Sequence, residues 1–158
     1  MRHHPGTLVA LGIGIAALAF PATASGASIT ANAVDGTVVT GSTTCQWADA
    51  TADANPPDTA VIDGSTVSLS CDSSTSLTLN NDPSVSFDDA AGTATIDTIN
   101  VSGTLIGLTC TYEATDIAMT RDGSTRTYSG GPYTGDKVDG SFLCPGSIDL
   151  DSATVTFH

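Results

Sequence analysis

The stretch Leu77–Ala114, LTLNNDPSVSFDDAAGTATIDTINVSGTLIGLTCTYEA, decides the fold class. Apolar residues recur in it at every second position: Leu77 with Leu79, Val85 with Phe87, Ala94 with Ile96, Ile99 with Val101, and Leu108 with Cys110, Tyr112 and Ala114. A period of two places these side chains on one face of extended strands and leaves Ser, Thr and Asp on the other. Asn81-Asp82-Pro83 and Asp88–Gly92 carry the turn-forming residues that separate the runs. Between Ile96 and Ile99 the apolar parity changes from even to odd, which predicts a β-bulge near Asp97-Thr98. A second change, from Ile148 and Leu150 to Ala153, Val155 and Phe157, predicts a bulge or short break near Asp151-Ser152.

The remainder repeats the pattern. Val67, Leu69 and Cys71 share one parity, with Thr66, Ser68 and Ser70 opposite. Phe142 and Cys144 are expected to face inward together. Asp-Gly occurs at Asp35-Gly36, Asp63-Gly64, Asp122-Gly123 and Asp139-Gly140, and the first three predict hairpins around positions 35, 63 and 122. No stretch sustains a 3.6-residue period. The expected fold is all-β: an antiparallel β-sandwich or Greek-key barrel of about eight to ten short strands. Trp47 follows Cys45 by two residues, shares its face, and is expected to pack against the first disulfide as a core residue. Asp49–Asp58, a polar loop with two prolines, falls inside that disulfide loop and so marks no domain boundary.

The amino terminus reads as an export signal. Arg2, His3 and His4 precede the apolar run Leu8–Phe20, which is too short to span a bilayer comfortably, and small residues follow. Cleavage is expected after Ala24 or Ala27, making residues 1–27 a signal peptide and 28–158 a single secreted, extracellular domain. After cleavage three cations, Arg121, Arg126 and Lys137, face seventeen acids, leaving a net charge of −14. That balance excludes nucleic acid and anionic lipid as partners, and no membrane association is expected once the signal is gone. Four cysteines in an exported chain of this size predict two disulfides. Three pairings satisfy the count; Cys45 with Cys71 and Cys110 with Cys144 is preferred, because it closes one loop in each half.

Leu108-Thr109-Cys110-Thr111-Tyr112, Cys144-Pro145 and the final run Ala153-Thr154-Val155-Thr156-Phe157 resemble a group of small secreted proteins from actinobacteria, over residues 84–158. The resemblance implies an exported β-sandwich with a Cys110–Cys144 bridge, and no activity. Asp35-Gly36-Thr37-Val38-Val39, followed by Cys45-Gln46-Trp47-Ala48-Asp49, is similar to the early strands of the apoproteins of secreted enediyne antibiotics. Their short disulfide loops do not match loops closed between positions 45 and 71 or 110 and 144, so the likeness implies only what such a scaffold can hold.

Side chains that run chemistry are scarce. His158 is the one histidine left after cleavage, at a terminus expected to fray, and no nucleophile elbow or phosphate loop is present. Without a C-x-x-C pair a zinc site has no ligands, and neither Asp49, Asp53 and Asn55 nor Asp88 and Asp89 have calcium-loop spacing. No catalytic residue, metal or cofactor is therefore expected. The one acid pair with a claim on hydrolysis is Asp149 and Asp151, two residues apart on one strand face. Composition becomes unusual at Arg121–Lys137, RDGSTRTYSGGPYTGDK, which holds all three mature cations. Arg121, Arg126, Tyr128, Tyr133 and Lys137 are the candidate binding residues, since Arg and Tyr anchor interfaces. The expected function is a non-catalytic secreted binding or surface-interaction domain with this segment as its contact, its partner an extracellular protein or small molecule. A carrier of an apolar small molecule is the alternative, and a protease inhibitor presenting Arg121 or Arg126, or a weak Asp-based hydrolase, comes after it.

Overall fold

The computed structural model describes residues 32–105 and 107–158, so the proposed signal peptide and both cleavage sites lie outside the described residues. Twelve strands are present among them: β1 (Ala33–Thr40), β2 (Thr43–Thr51), β3 (Ala60–Val61), β4 (Ser70–Cys71), β5 (Ser76–Leu79), β6 (Ser84–Asp88), β7 (Thr93–Leu105), β8 (Leu108–Arg121), β9 (Thr127–Gly130), β10 (Tyr133–Gly140), β11 (Ser147–Leu150) and β12 (Ser152–Phe157). All pairings are antiparallel. The main path runs β3-β6-β7-β8-β9-β12-β1-β2-β4, with β5 added to β7 and β10 joining β8 to β11. The sheet does not close on itself. Both preferred disulfides are formed, Cys45–Cys71 and Cys110–Cys144.

The long β7–β8 hairpin organises the molecule. The half containing Thr93–Ile96 pairs with β6, and the half containing Val101–Thr104 pairs with β5 on the same edge. The parity change at Asp97 lies here, but it is not a bulge. Ile96 opposes Ile117 and Thr98 opposes Thr115, so no residue is inserted on either strand. Both strands switch face together: Ala94, Ile96, Ile117 and Met119 are buried on one side of the switch. Ile99, Val101, Tyr112 and Ala114 turn inward on the other. Asp116 takes the strain of the switch with φ 52°. A paired switch lets one hairpin serve two differently oriented parts of the sheet without losing register. The second parity change is a break, since Asp151 interrupts β11 and β12.

The Asp-Gly pairs divide. Asp122-Gly123 turns β8 into β9 as expected, with Gly123 at φ 56°. Asp35-Gly36 instead lies inside β1, and the reversal into β2 falls at Gly41-Ser42. Asp63 is the N-cap of a 3₁₀ turn, Gly64–Thr66, and its carboxylate accepts from Ser65 N. Neither therefore forms a hairpin: an Asx side chain caps backbone N–H groups as readily as it enters a two-residue loop. Gly36 has a packing reason as well. A Cβ there would lie 2.0 Å from the Trp47 ring, because the indole rests on the bare backbone. Trp47 thus sits over Gly36 and against the core.

The sealed core lies at one end. Phe87, Tyr128 and Phe157 form an aromatic cluster with centroids 5.2–6.3 Å apart, Phe157 edge-on to the other two rings. Val34, Ala50, Ile62, Val85, Ile96, Ile117, Met119 and Val155 surround it. His158 does not fray: its N–H donates to Ala33, its carbonyl accepts from Asn55, and its Nε2 lies 2.9 Å from Asp35 Oδ2.

Candidate functional site

Away from the aromatic cluster the inward-facing side chains do not meet. They enclose a cavity of about 340 Å³ that opens to solvent. Leu77 and Leu79 of β5, Ile99 and Val101 of β7, and Tyr112 and Ala114 of β8 form one wall. Val38 of β1, Trp47 of β2, Ala153 and Val155 of β12 and Ile148 and Leu150 of β11 form the rest, with Val67 and Leu69 at the side. Leu77, Leu79, Ile99, Val101, Ile148 and Leu150 are only half-buried, although each faces inward. Their exposed area is cavity surface.

The two tyrosines of the wall have their hydroxyls engaged elsewhere. Tyr133 donates to the Ala118 carbonyl at 2.6 Å, and Tyr112 donates to the Pro145 carbonyl at 3.3 Å. Burial pushes the Tyr133 pKa up, so its proton stays in place. What remains for a guest is chiefly dispersion and hydrophobic contact; among the polar lining residues, Glu113 accepts from Asn100 Nδ2 at 3.3 Å and Thr40 donates to the Asp149 carbonyl at 2.7 Å, which leaves the hydroxyls of Thr43 and Thr75. A neutral, apolar molecule fits that chemistry. The volume falls at the lower end of small-molecule sites, which run from about 300 to 1,000 Å³.

The Arg121–Lys137 residues are not gathered into one edge. Arg121 pairs with Asp89 and also donates to its carbonyl at 3.1 Å. Tyr128 is 2% exposed in the aromatic cluster, so it faces the core and not a partner. Tyr133 lines the cavity. Lys137 Nζ folds onto the carbonyls of Ser141 and Cys144, each at 3.4 Å. Arg126 is exposed.

Asp149 lies in β11, but Asp151 falls in the break between β11 and β12, so the two are not neighbours along one strand. Asp149 accepts from Thr134 Oγ1 at 2.9 Å and Asp151 from Gly41 N at 2.6 Å. Asp53 binds Val61 N, and Asp88 binds Ala91 N. Phe142, expected inward with Cys144, is 89% exposed, because a tight turn intervenes before the bridged cysteine.

The strand alternation named most of the cavity wall but not the void. Side-chain period gives the face of each residue and not the distance to the opposite wall, so it carries no signal for the void. No protein-family model matches the chain, and no curated protein or solved structure is significantly similar to it.

Proposed function

We propose that this is an exported, non-catalytic domain that binds a neutral apolar small molecule in the open cavity between its strands. The observation that carries the reading is the 340 Å³ void walled by half-buried aliphatic side chains. An apolar space left empty forfeits packing contacts, and a guest of matching volume restores them. Export is supported by the two disulfides, bonds of an oxidising compartment, and by the short apolar run Leu8–Phe20. With its candidate residues in separate contacts, the Arg121–Lys137 segment gives weaker support to a protein-recognition edge.

Trp47 is the sole tryptophan and lines the cavity, which makes it an internal reporter. Titration with Nile red, a neutral apolar dye, should change Trp47 emission and brighten the dye saturably. Ala114→Phe places a ring in the void; it should abolish dye binding while leaving the fold intact and raising the melting temperature. Dye binding that survives Ala114→Phe unchanged would place the ligand elsewhere and refute the assignment.

A further inference from the structure

Among the described residues the most exposed large apolar side chains lie between positions 138 and 143 of the chain. Phe142 is 89% exposed, Leu143 63% and Val138 52%. Phe142 and Leu143 sit at the tip of a turn closed by Cys144 N donating to Ser141 O at 2.9 Å. The turn is held from several sides. Cys144 is bridged to Cys110, Lys137 Nζ binds the carbonyls of Ser141 and Cys144, and Ser141 Oγ accepts from Leu143 N. Two large apolar groups are thus fixed in water on a braced support, at a cost in hydration that solvated loops avoid.

Position supplies the second observation. Gly140, at the base of the turn, pairs with Cys110, which pairs with Gly103. Gly103, Cys110 and Pro145 all line the cavity, at the end away from the aromatic cluster. The Pro145 carbonyl also accepts the Tyr112 hydroxyl from the cavity wall. The tip therefore stands on the rim of the cavity.

We propose that the Phe142-Leu143 turn is a docking tip for the surface of a zwitterionic bilayer, through which the cavity exchanges its apolar guest. The loading role rests on the cavity reading above; the docking does not. A guest that fits the cavity is poorly soluble in water and collects in lipid, so the apolar rim faces the phase that holds it. Shallow insertion of Phe and Leu recovers burial that the folded domain leaves unmade. Charge selects the headgroup. The three cations and seventeen acids of the described residues repel anionic lipid, and Asp136 and Asp139 lie in the strand that leads into the tip. A surface without net charge carries no such penalty. This departs from the expectation of no membrane contact, which considered the signal segment and net charge alone.

The test uses protein expressed from the full chain and recovered as the host processes it, with phosphatidylcholine vesicles. Wild-type protein should float with the vesicles, and the Phe142→Ser, Leu143→Ser double variant should lose at least about tenfold in partitioning. Phosphatidylglycerol in the vesicles should weaken flotation. Both side chains project into water, so the variant keeps its fold, checked by an unchanged melting temperature; Val138→Ser gives an independent, smaller loss. Nile red held in the vesicles should pass to wild-type protein faster than to the variant, while both bind dye equally in buffer. Wild type that stays with the aqueous phase, or a double variant that floats equally well, overturns the docking. So does a concentration-dependent dimer dissolved by Phe142→Ser in place of flotation, which would seat the tip on a second copy. Tip-dependent flotation without dye binding in buffer would leave the docking standing and sink the cavity reading alone.

Discussion

Replacing Gly36 by alanine should destabilise the domain by about 3 kcal/mol, through a single contact. Gly36 lies in β1 beside a register shift in the β1–β2 pairing but without a positive φ, so alanine meets no left-handed backbone penalty there. Its Cβ would, however, lie 2.0, 2.1 and 2.6 Å from three atoms of the Trp47 indole. Separation has to grow by about 1.5 Å to reach ordinary contact, and neither partner yields easily: one is strand backbone, the other a rigid ring packed on the core. Overpacking of this kind costs about 1–3 kcal/mol while the ring stays, and expelling the ring costs more in lost burial. For a domain of this size the loss corresponds to a fall in melting temperature of roughly 10 °C. Urea denaturation of wild type, Gly36→Ala, Trp47→Ala and the double variant isolates the effect. Trp47→Ala alone should destabilise, but Gly36→Ala added to it should cost under about 0.5 kcal/mol, because the clash has gone. Equal costs of Gly36→Ala in both backgrounds would refute the claim that this glycine exists to seat the indole.

Two other perturbations test the ends of the molecule. Asp35 has its pKa held below the usual 3.8, chiefly by the hydrogen bond from Asp49 N and then by His158. A lowered folded-state pKa contributes stability that is present above 3.8 and is lost as pH falls through the folded value. Asp35→Asn should therefore flatten the acid limb of the stability profile, measured by chemical denaturation at successive pH values; an unchanged limb would assign acid sensitivity to other carboxylates. Removing the Cys45–Cys71 bridge by paired alanines should cost about 3.5 kcal/mol, and removing Cys110–Cys144 slightly more, as loops of 26 and 34 residues require. Urea midpoints that move by less than a quarter of this would show that the bridges join segments already fixed by packing.

Class and facing were legible because they depend on local chemistry. Alternation at Leu77–Leu79, Val85–Phe87 and Leu108–Ala114 assigned inward faces that the structure keeps. Side-chain period, however, says which way a residue points and not how far away the opposite wall stands. That distance is set by register and by the angle between sheet parts, here by the paired switch at Asp97 and Asp116. A parity change read on one strand looks like an inserted residue; only its partner's identical change shows that the pair turned together. Asp35-Gly36 misled for a similar reason. The dipeptide is favoured in turns, but the glycine is required by Trp47, eleven positions away, and that demand is tertiary. Phe142 shows the converse, since parity carried through a tight turn loses its meaning.

The cavity and the disulfides are two sides of one physical problem. Holding open a space of about 340 Å³ forfeits the contacts that its wall side chains would otherwise make with one another. Packing cannot recover that loss without closing the space. The bridges can, since they act on the unfolded chain and fill no volume in the folded one; together their loops restrict it by about 7 kcal/mol. Their placement matches this role. Cys110 is itself part of the cavity wall, and Cys45 pairs across β1–β2 with Val38, which lines it. Cys45 and Cys71 are register partners on the paired strands β2 and β4, while at the aromatic end Phe87, Tyr128 and Phe157 are held by contact. Two cross-links that restrict the unfolded chain, with a sealed aromatic end, let the walls stand apart without contact between them.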